Sequence, residues 1–335
     1  MTRAGCQQLV FTGEGRLELR EVALRPPASD EVLVRATRTM ISTGTELTCL
    51  HRRFAPGSHF DQWVTYPFAS GYLMAGRVEA VGTEVRDWSP GDAVSLRAAH
   101  ASHAVVHPRE LHRTPARVDD ASAVWMGLGK IVQVGVRVAT PVLGDVVAVV
   151  GLGLLGQLAV QYARLAGAGA IIAVDARPER ARWAARHGAT HTCATVEDSR
   201  RVLHDATAGG LADVVYDVTG NPDVLPAALS LAAHQGRVVL LGDAGDPSRQ
   251  HLTSDLLTKG LRLLGAHDQL YPRFPAAGVR WSGAEMQDLF LKLLAREDVR
   301  VADLVTHVFS PEQAAEAYRA AAADPHAMGV QFEWA

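Results

Sequence analysis

Val146-Val-Ala-Val-Val-Gly151-Leu-Gly153-Leu-Leu-Gly156 is the stretch that decides the fold. Five apolar residues in a row read as a strand covered on both faces. The glycines that follow have the spacing GxGxxG, and residues 154–166 carry a helical apolar pattern. The next strand candidate, 170–175, ends on an acid, and Asp175 stands 19 residues beyond Gly156. That is close to the interval of about 20 expected of a dinucleotide site. Each glycine has a physical reason. Gly151 allows the tight turn, Gly153 lets the backbone approach a pyrophosphate, and Gly156 lets helix and strand pack closely. The amides of Leu154, Leu155 and their neighbours at the helix start would receive the phosphates. Asp175 would accept hydrogen bonds from the ribose hydroxyls and repel a 2′-phosphate, so NAD is favoured over NADP. Arg177 and Arg180 pull the other way, because either could approach a phosphate.

Outward from this unit, strands and helices alternate. Further strand candidates are 213–217, 237–241 and 261–265. The alternation predicts an α/β chain with a parallel, doubly wound sheet and right-handed crossovers. Ligands of such sheets lie beyond the carboxyl ends of the strands. Thr219 and Gly220 after the fourth strand, and Gly242 and Asp243 after the fifth, are therefore candidates for the nicotinamide half of the site. Before residue 121 the pattern changes to short strands with many turns. Glu31-Val-Leu-Val-Arg-Ala36 alternates, as do 76–82, and Gly91-Asp92 turns into 93–97. A small barrel or sandwich is expected there. Beyond 269 the alternation stops. Residues 284–296 have helical period, Ser310-Pro-Glu-Gln313 reads as a capped helix start, and Val330-Gln-Phe-Glu-Trp334 as a last strand. The division expected is a β-rich domain of 1–120, completed by 269–335, around a cofactor domain of 121–268.

The chain has 335 residues, with 48% hydrophobic and 21% charged residues and a net charge of −3. This is an ordinary globular composition with no basic surface for nucleic acid. The first residues lack the apolar run of a secretion signal, and the most apolar stretch is too short to span a bilayer. Three separated cysteines fit a reducing compartment better than a disulfide framework. A cytoplasmic protein is expected.

With these parts in place, the chain resembles the medium-chain dehydrogenase/reductase superfamily over nearly its whole length. The resemblance is carried by Ile41-Ser-Thr-Gly-Thr-Glu46, by Gly71-Tyr-Leu-Met-Ala-Gly-Arg-Val-Glu-Ala-Val-Gly82, and by Trp88-Ser-Pro-Gly-Asp-Ala-Val94. The phosphate loop and Val305-Thr-His-Val-Phe-Ser-Pro-Glu-Gln-Ala-Ala-Glu-Ala-Tyr318 complete the series. It implies a GroES-like β-rich catalytic domain plus a Rossmann sheet, an active site in the cleft between them, and a homodimer. The departures matter for mechanism. Zinc members carry Cys-Gly-Thr-Asp where this chain has Thr43-Gly-Thr-Glu46, and Gly-His-Glu where it has Gly71-Tyr-Leu73. Their third ligand falls near Trp125-Met-Gly127, where this chain has no Cys or Asp. Zinc needs thiolate, imidazole or carboxylate donors, so no zinc is expected. The first signature is similar to zinc-free branches, in particular to bacteriochlorophyllide hydroxyethyl dehydrogenase-like proteins.

Without a metal, side chains must handle the proton and the developing oxyanion. Lys130 is the leading candidate, as a cation facing an alkoxide or as a base if burial lowers its pKa. The alternative is an ammonium in water at a helix end. Tyr72, in place of a zinc-binding His, could donate to a carbonyl oxygen or merely fill the vacated pocket. Thr45 matches the hydroxyl that begins the family's proton relay. Glu46 matches an acid that orients a zinc-binding His, and could instead pair with Lys130 or hold the fold. His267 follows the sixth strand, where relatives meet the carboxamide. The function expected is interconversion of a secondary alcohol and its ketone, the alcohol being a polyol, cyclitol, sugar or larger secondary metabolite. An NADPH-dependent reductase of quinones or alkenes, and a nucleotide-binding sensor without catalysis, are the competing readings.

Overall fold

The computed structural model describes residues 5–207 and 209–335. They form two compact units. The second unit, Leu128–Pro272 with the short segment Phe54–Ser58, is built on six parallel strands. These are β1 (Val146–Val150), β2 (Ala170–Val174), β3 (His191–Cys193), β4 (Ala212–Asp217), β5 (Ala232–Leu240) and β6 (Arg262–Gly265). Their order in the sheet is β3-β2-β1-β4-β5-β6. This is the doubly wound arrangement in which the order reverses between β1 and β4, leaving a crevice at their carboxyl ends. Four of the five residues of β1 are buried, which is why its sequence is continuously apolar. Ala148, Val150, Ile172, Val174, Val215 and Val238 face the helices in one core cluster.

Strand ends differ from the sequence reading by small amounts, with one exception. β5 starts at Ala232, five residues before the expected Arg237, because Ala-Ala-His-Gln-Gly has a loop-like composition yet pairs with β4 from Ala212↔Ala232 onward, across a register shift.

The first unit contains the chain up to Arg53, His59–Gly127 and Arg273–Ala335. Its main sheet runs Val305–Phe309, Gly329–Glu333, Val32–Met40, Met74–Val81, Ala93–Leu96, His112–Arg113, with His103–Val106 also paired to Val32–Met40. A three-stranded sheet of Arg16–Val22, Cys6–Gly13 and Phe68–Ala69 accompanies it. The central strand Val32–Met40 is buried at six of nine positions, so its register is set by apolar residues on both faces. Ser310 and Gln313 form the expected capping box ahead of the helix Ala314–Ala323. Together these features make an α/β protein with a GroES-like β-rich domain and a Rossmann sheet.

Candidate active site

Two glycines of the phosphate loop, Gly151 and Gly156, leave no room for a side chain. Gly151 has φ +92°, and a Cβ there would sit 2.9 Å from Thr219 Cγ2. A Cβ on Gly156 would lie 2.0 Å from Gly151 O. Gly153 differs: the nearest atom to a Cβ there is Arg180 Nη1 at 3.9 Å. It is the N-cap of the helix Leu154–Leu165, and no side chain caps that end. The first amides of a helix have no intrahelical partner. An open glycine beside uncapped amides is a cradle of the size and polarity a pyrophosphate needs, so the residues present fit a nicotinamide dinucleotide.

Asp175 follows β2. Its Oδ2 accepts from Leu152 N at 2.8 Å and lies 3.4 Å from Arg180 Nη1, and its Oδ1 accepts from Arg177 N at 2.9 Å. The acid is thus held against the glycine loop, where the adenosine ribose of a dinucleotide belongs. Arg180 is folded onto it, and burial lowers the guanidinium pKa, against the pull of Asp175. Arg177 contributes its backbone to this turn.

The loop after β4 meets the phosphate loop, and the loop after β5 meets the loop after β4. Asp217 ends β4 and is buried; its Oδ1 accepts from Thr219 N at 3.0 Å and Thr219 Oγ1 at 2.7 Å. Burial pushes the Asp217 carboxyl up, opposed by these bonds. A Cβ on Gly220 would stand 2.7 Å from Asp243 O, and one on Gly242 would stand 2.5 Å from Gly220 N. The close approach of the two loops therefore requires both glycines. Asp243 and His267, both exposed, present possible ligand atoms within 4.8 Å of each other. His267 uses Nδ1 to accept from Gln269 N at 3.3 Å. The structure thus brings Gly151, Thr219, Gly220, Gly242, Asp243 and His267 to one end of the sheet.

Lys130 lies on the helix Met126–Ala139 and is 6% exposed, so it is not the solvated lysine the sequence allowed. Its Nζ donates to Asp268 Oδ1 at 2.6 Å and to Asp268 O. Asp268, three residues beyond β6, has no signal in sequence that ties it to Lys130.

The remaining candidates lie in the first unit. Tyr72 Oη and Ser42 Oγ are 2.6 Å apart, and the Arg97 guanidinium stands 4.6 Å from the ring centre. Burial pushes the Tyr72 phenol up, opposed by Arg97. Glu46, on the helix Thr43–Leu50, is 2% exposed. Its Oε1 accepts from Ser42 N at 2.7 Å, while Oε2 lies 3.0 Å from His100 Nε2 and accepts from Tyr318 Oη. Every bond of the carboxylate is made within its own unit, which corrects the suggested pair with Lys130. Burial and the Glu46 charge push the Tyr318 phenol well above its ordinary value. His100 and Tyr318 were missed because they lie 54 and 272 residues from Glu46.

At the positions that the resemblance matches to zinc ligands, the side chains are the hydroxyl of Thr43 and the phenol of Tyr72, and the third falls near Trp125-Met-Gly127, which has no Cys or Asp. Trp125 is fully buried and packs on the last strand: a Cβ on Gly329 would be 2.8 Å from its Cζ2. Nearby Cys49 is buried, which pushes its thiol up to about 12. This donor set does not fit zinc, which takes thiolate, imidazole or carboxylate.

Comparison with known proteins agrees with the architecture. The family model described as zinc-binding dehydrogenase matches residues 155–280. L-threonine 3-dehydrogenase of Bacillus subtilis (strain 168) is 28% identical over 283 residues, covering 74% of this chain and 78% of that protein. L-threonine 3-dehydrogenase of Symbiobacterium thermophilum is 30% identical over 244 residues, covering 62% of this chain and 68% of that protein. Among solved structures, galactitol-1-phosphate dehydrogenase of Escherichia coli superposes with a TM-score of 0.80 at 21% identity, over 98% of this chain and 99% of the other. The sequence matches, the glycine loop and the paired β-rich and Rossmann domains together place the chain in the medium-chain dehydrogenase/reductase superfamily.

Proposed function

We propose that the protein is a zinc-independent, NAD-linked oxidoreductase that interconverts a secondary alcohol and its ketone. The observation that carries the cofactor half is the open cradle at Gly153 with Asp175 held beside it. Bound NAD would supply the hydride acceptor. Gly151, Gly153 and Gly156 shape the loop, the Leu154 and Leu155 amides take the phosphates, and Asp175 takes the ribose. Thr219, Gly220, Gly242, Asp243 and His267 border the nicotinamide end. Arg180, paired with Asp175, is the residue that would favour NADP instead. The alcohol half rests on the named activities of the relatives, which are threonine and galactitol-phosphate dehydrogenases. In the cofactor unit Lys130 is the candidate cation for the developing oxyanion, and in the β-rich unit the hydroxyls of Tyr72 and Thr45 are the candidates for carrying the proton. Glu46 fixes the turn that presents them by holding Ser42 N.

The test is direct. Purified protein is stripped with a chelator, assayed for zinc by mass spectrometry, and titrated with NADH and NADPH by fluorescence. Turnover is then measured on threonine, galactitol 1-phosphate and butane-2,3-diol. Zinc-free protein that binds NADH at least about tenfold tighter than NADPH, and oxidises one of the panel, supports the reading. Turnover that needs stoichiometric zinc, or a clear preference for NADPH, overturns it.

A further inference from the structure

Lysine is scarce in this chain. Among 33 basic residues only Lys130, Lys259 and Lys292 are lysines. Lys292 is exposed, Lys259 is half-buried, and Lys130 alone is buried. An ammonium taken out of water is costly unless it is paired and hydrogen-bonded. Asp268 goes far to meet that requirement, since two hydrogen bonds from Nζ end on its carboxylate and its carbonyl.

Both ends of this pair are anchored in the cofactor unit. On the acid side, Ala266 N donates to Leu240 O at 3.1 Å, so the backbone leading to Asp268 continues the pairing of β6 with β5. On the lysine side, Gly129 O accepts from Tyr162 Oη at 3.2 Å. Tyr162 belongs to the helix that opens from the phosphate loop. Further along the lysine helix, Gly135 is close-packed: a Cβ there would meet Leu241 Cδ1 at 3.2 Å and Ala266 Cβ at 3.8 Å. The ammonium is therefore fixed relative to the loop that binds the phosphates and to the carboxyl ends of β5 and β6. Ionisable groups on the elements that meet here include Asp268 and His267 after β6, Asp243 after β5, Tyr162 on the loop's helix, and Arg137 on the lysine helix, whose charge acts on Tyr162.

We propose that Asp268 is a positioning residue for the reaction, which holds Lys130 as a fixed cation at the carboxyl end of the cofactor sheet. Lys130 then stabilises negative charge on the substrate oxygen and stays an ammonium throughout. The proton of the alcohol leaves to solvent through another group. The physical reason is the carboxylate at 2.6 Å. A neighbouring anion favours the charged form of an amine, whereas burial without it favours the neutral base. This inference rests on the function proposed above, in which Lys130 serves the oxyanion.

The test reads the charge state of Lys130 without turnover. Intact protein is acetylated at pH 8 with N-hydroxysuccinimidyl acetate, digested with chymotrypsin, and the three lysines are followed by mass spectrometry. Lys130 should react at least about tenfold more slowly than Lys292, since only the neutral amine is nucleophilic. Asp268→Asn should raise the Lys130 rate by about tenfold or more, and Asp268→Glu should keep it within about threefold of the parent. NADH titration of the same samples reports whether each variant is folded. Lys130 reacting as fast as Lys292 in the parent, or unchanged by Asp268→Asn, overturns the proposal. Turnover separates the two readings. Lys130→Arg, which keeps a cation, should lose less turnover on the panel substrate than Lys130→Gln, which should lose about 100-fold. Equal loss in both variants overturns the fixed-cation role while leaving the NAD-linked dehydrogenase intact.

Discussion

Two neighbouring glycines of the phosphate loop should respond to alanine in opposite ways. At Gly156 the added methyl would sit 2.0 Å from Gly151 O, and ordinary contact begins near 3.4 Å. Strand and helix must then separate by about 1.4 Å, the difference between those distances. Overpacking of this kind costs about 1–3 kcal/mol, a fall of roughly 2–12 °C in Tm at about 2–4 °C per kcal/mol. At Gly153 the methyl meets nothing nearer than 3.9 Å, and φ −69° with ψ −163° suits any L-residue. Gly153→Ala should therefore leave Tm within about 2 °C, since a substitution without a clash stays within about 0.5 kcal/mol. The same methyl occupies the face that a pyrophosphate must approach, so NADH affinity should fall by at least tenfold, about 1.4 kcal/mol. The assay is a thermal melt and an NADH fluorescence titration on each variant. A folded Gly153→Ala protein that binds NADH like the parent would refute the assignment of this loop to the phosphates.

Two further perturbations test the groups around the site. Glu46→Gln removes a buried charge that serves Ser42 N, His100 and Tyr318 together. Its amide must face at least one of those donors, so the variant should lose about 2–4 kcal/mol of stability in a urea titration; an unchanged midpoint would show that the network carries no load. Asp217 has a folded pKa raised by burial, so its ionised form costs stability above that pKa and the cost is absent below the unfolded value of 3.8. Asp217→Asn keeps an acceptor for Thr219 and should melt higher than the parent at pH 7, with the gain vanishing as pH falls toward 3.8. A gain that grows on acidification would reverse the sign of this argument.

What the sequence makes legible here is what is local. β1 and its glycine loop can be read because burial on both faces forces a continuous apolar run, and because each glycine answers a backbone requirement within a few residues. The capping box at Ser310 and Gln313 is of the same kind. Ser282 and Glu285 form another ahead of the helix Gly283–Ala295, and its Ser-x-x-Glu spacing could have revealed it. The polar partners of the candidate site were illegible for the opposite reason. His100 and Tyr318 reach Glu46, and Asp268 reaches Lys130, across 54, 272 and 138 residues. No periodicity encodes such a contact. The partner was equally hidden for Lys130, whose helix carries no acidic residue and gives no hint of an acid opposite.

The discontinuous first unit has a consequence for how the chain is made. The strand Gly329–Glu333 lies between Val305–Phe309 and Val32–Met40 in the sheet order. During synthesis Val32–Met40 emerges long before its partner, because Arg38, Thr39 and Met40 pair with Glu333, Phe332 and Gln331. All strands of the cofactor unit have appeared by Gly265. Since domains fold as units as they leave the ribosome, the cofactor unit can close first, while a β-edge near the N-terminus waits with its amides and carbonyls unmatched. An open edge of that kind recruits foreign strands, so the interval between translation of Met40 and of Gln331 is when a nascent chain of this architecture is most in need of a chaperone.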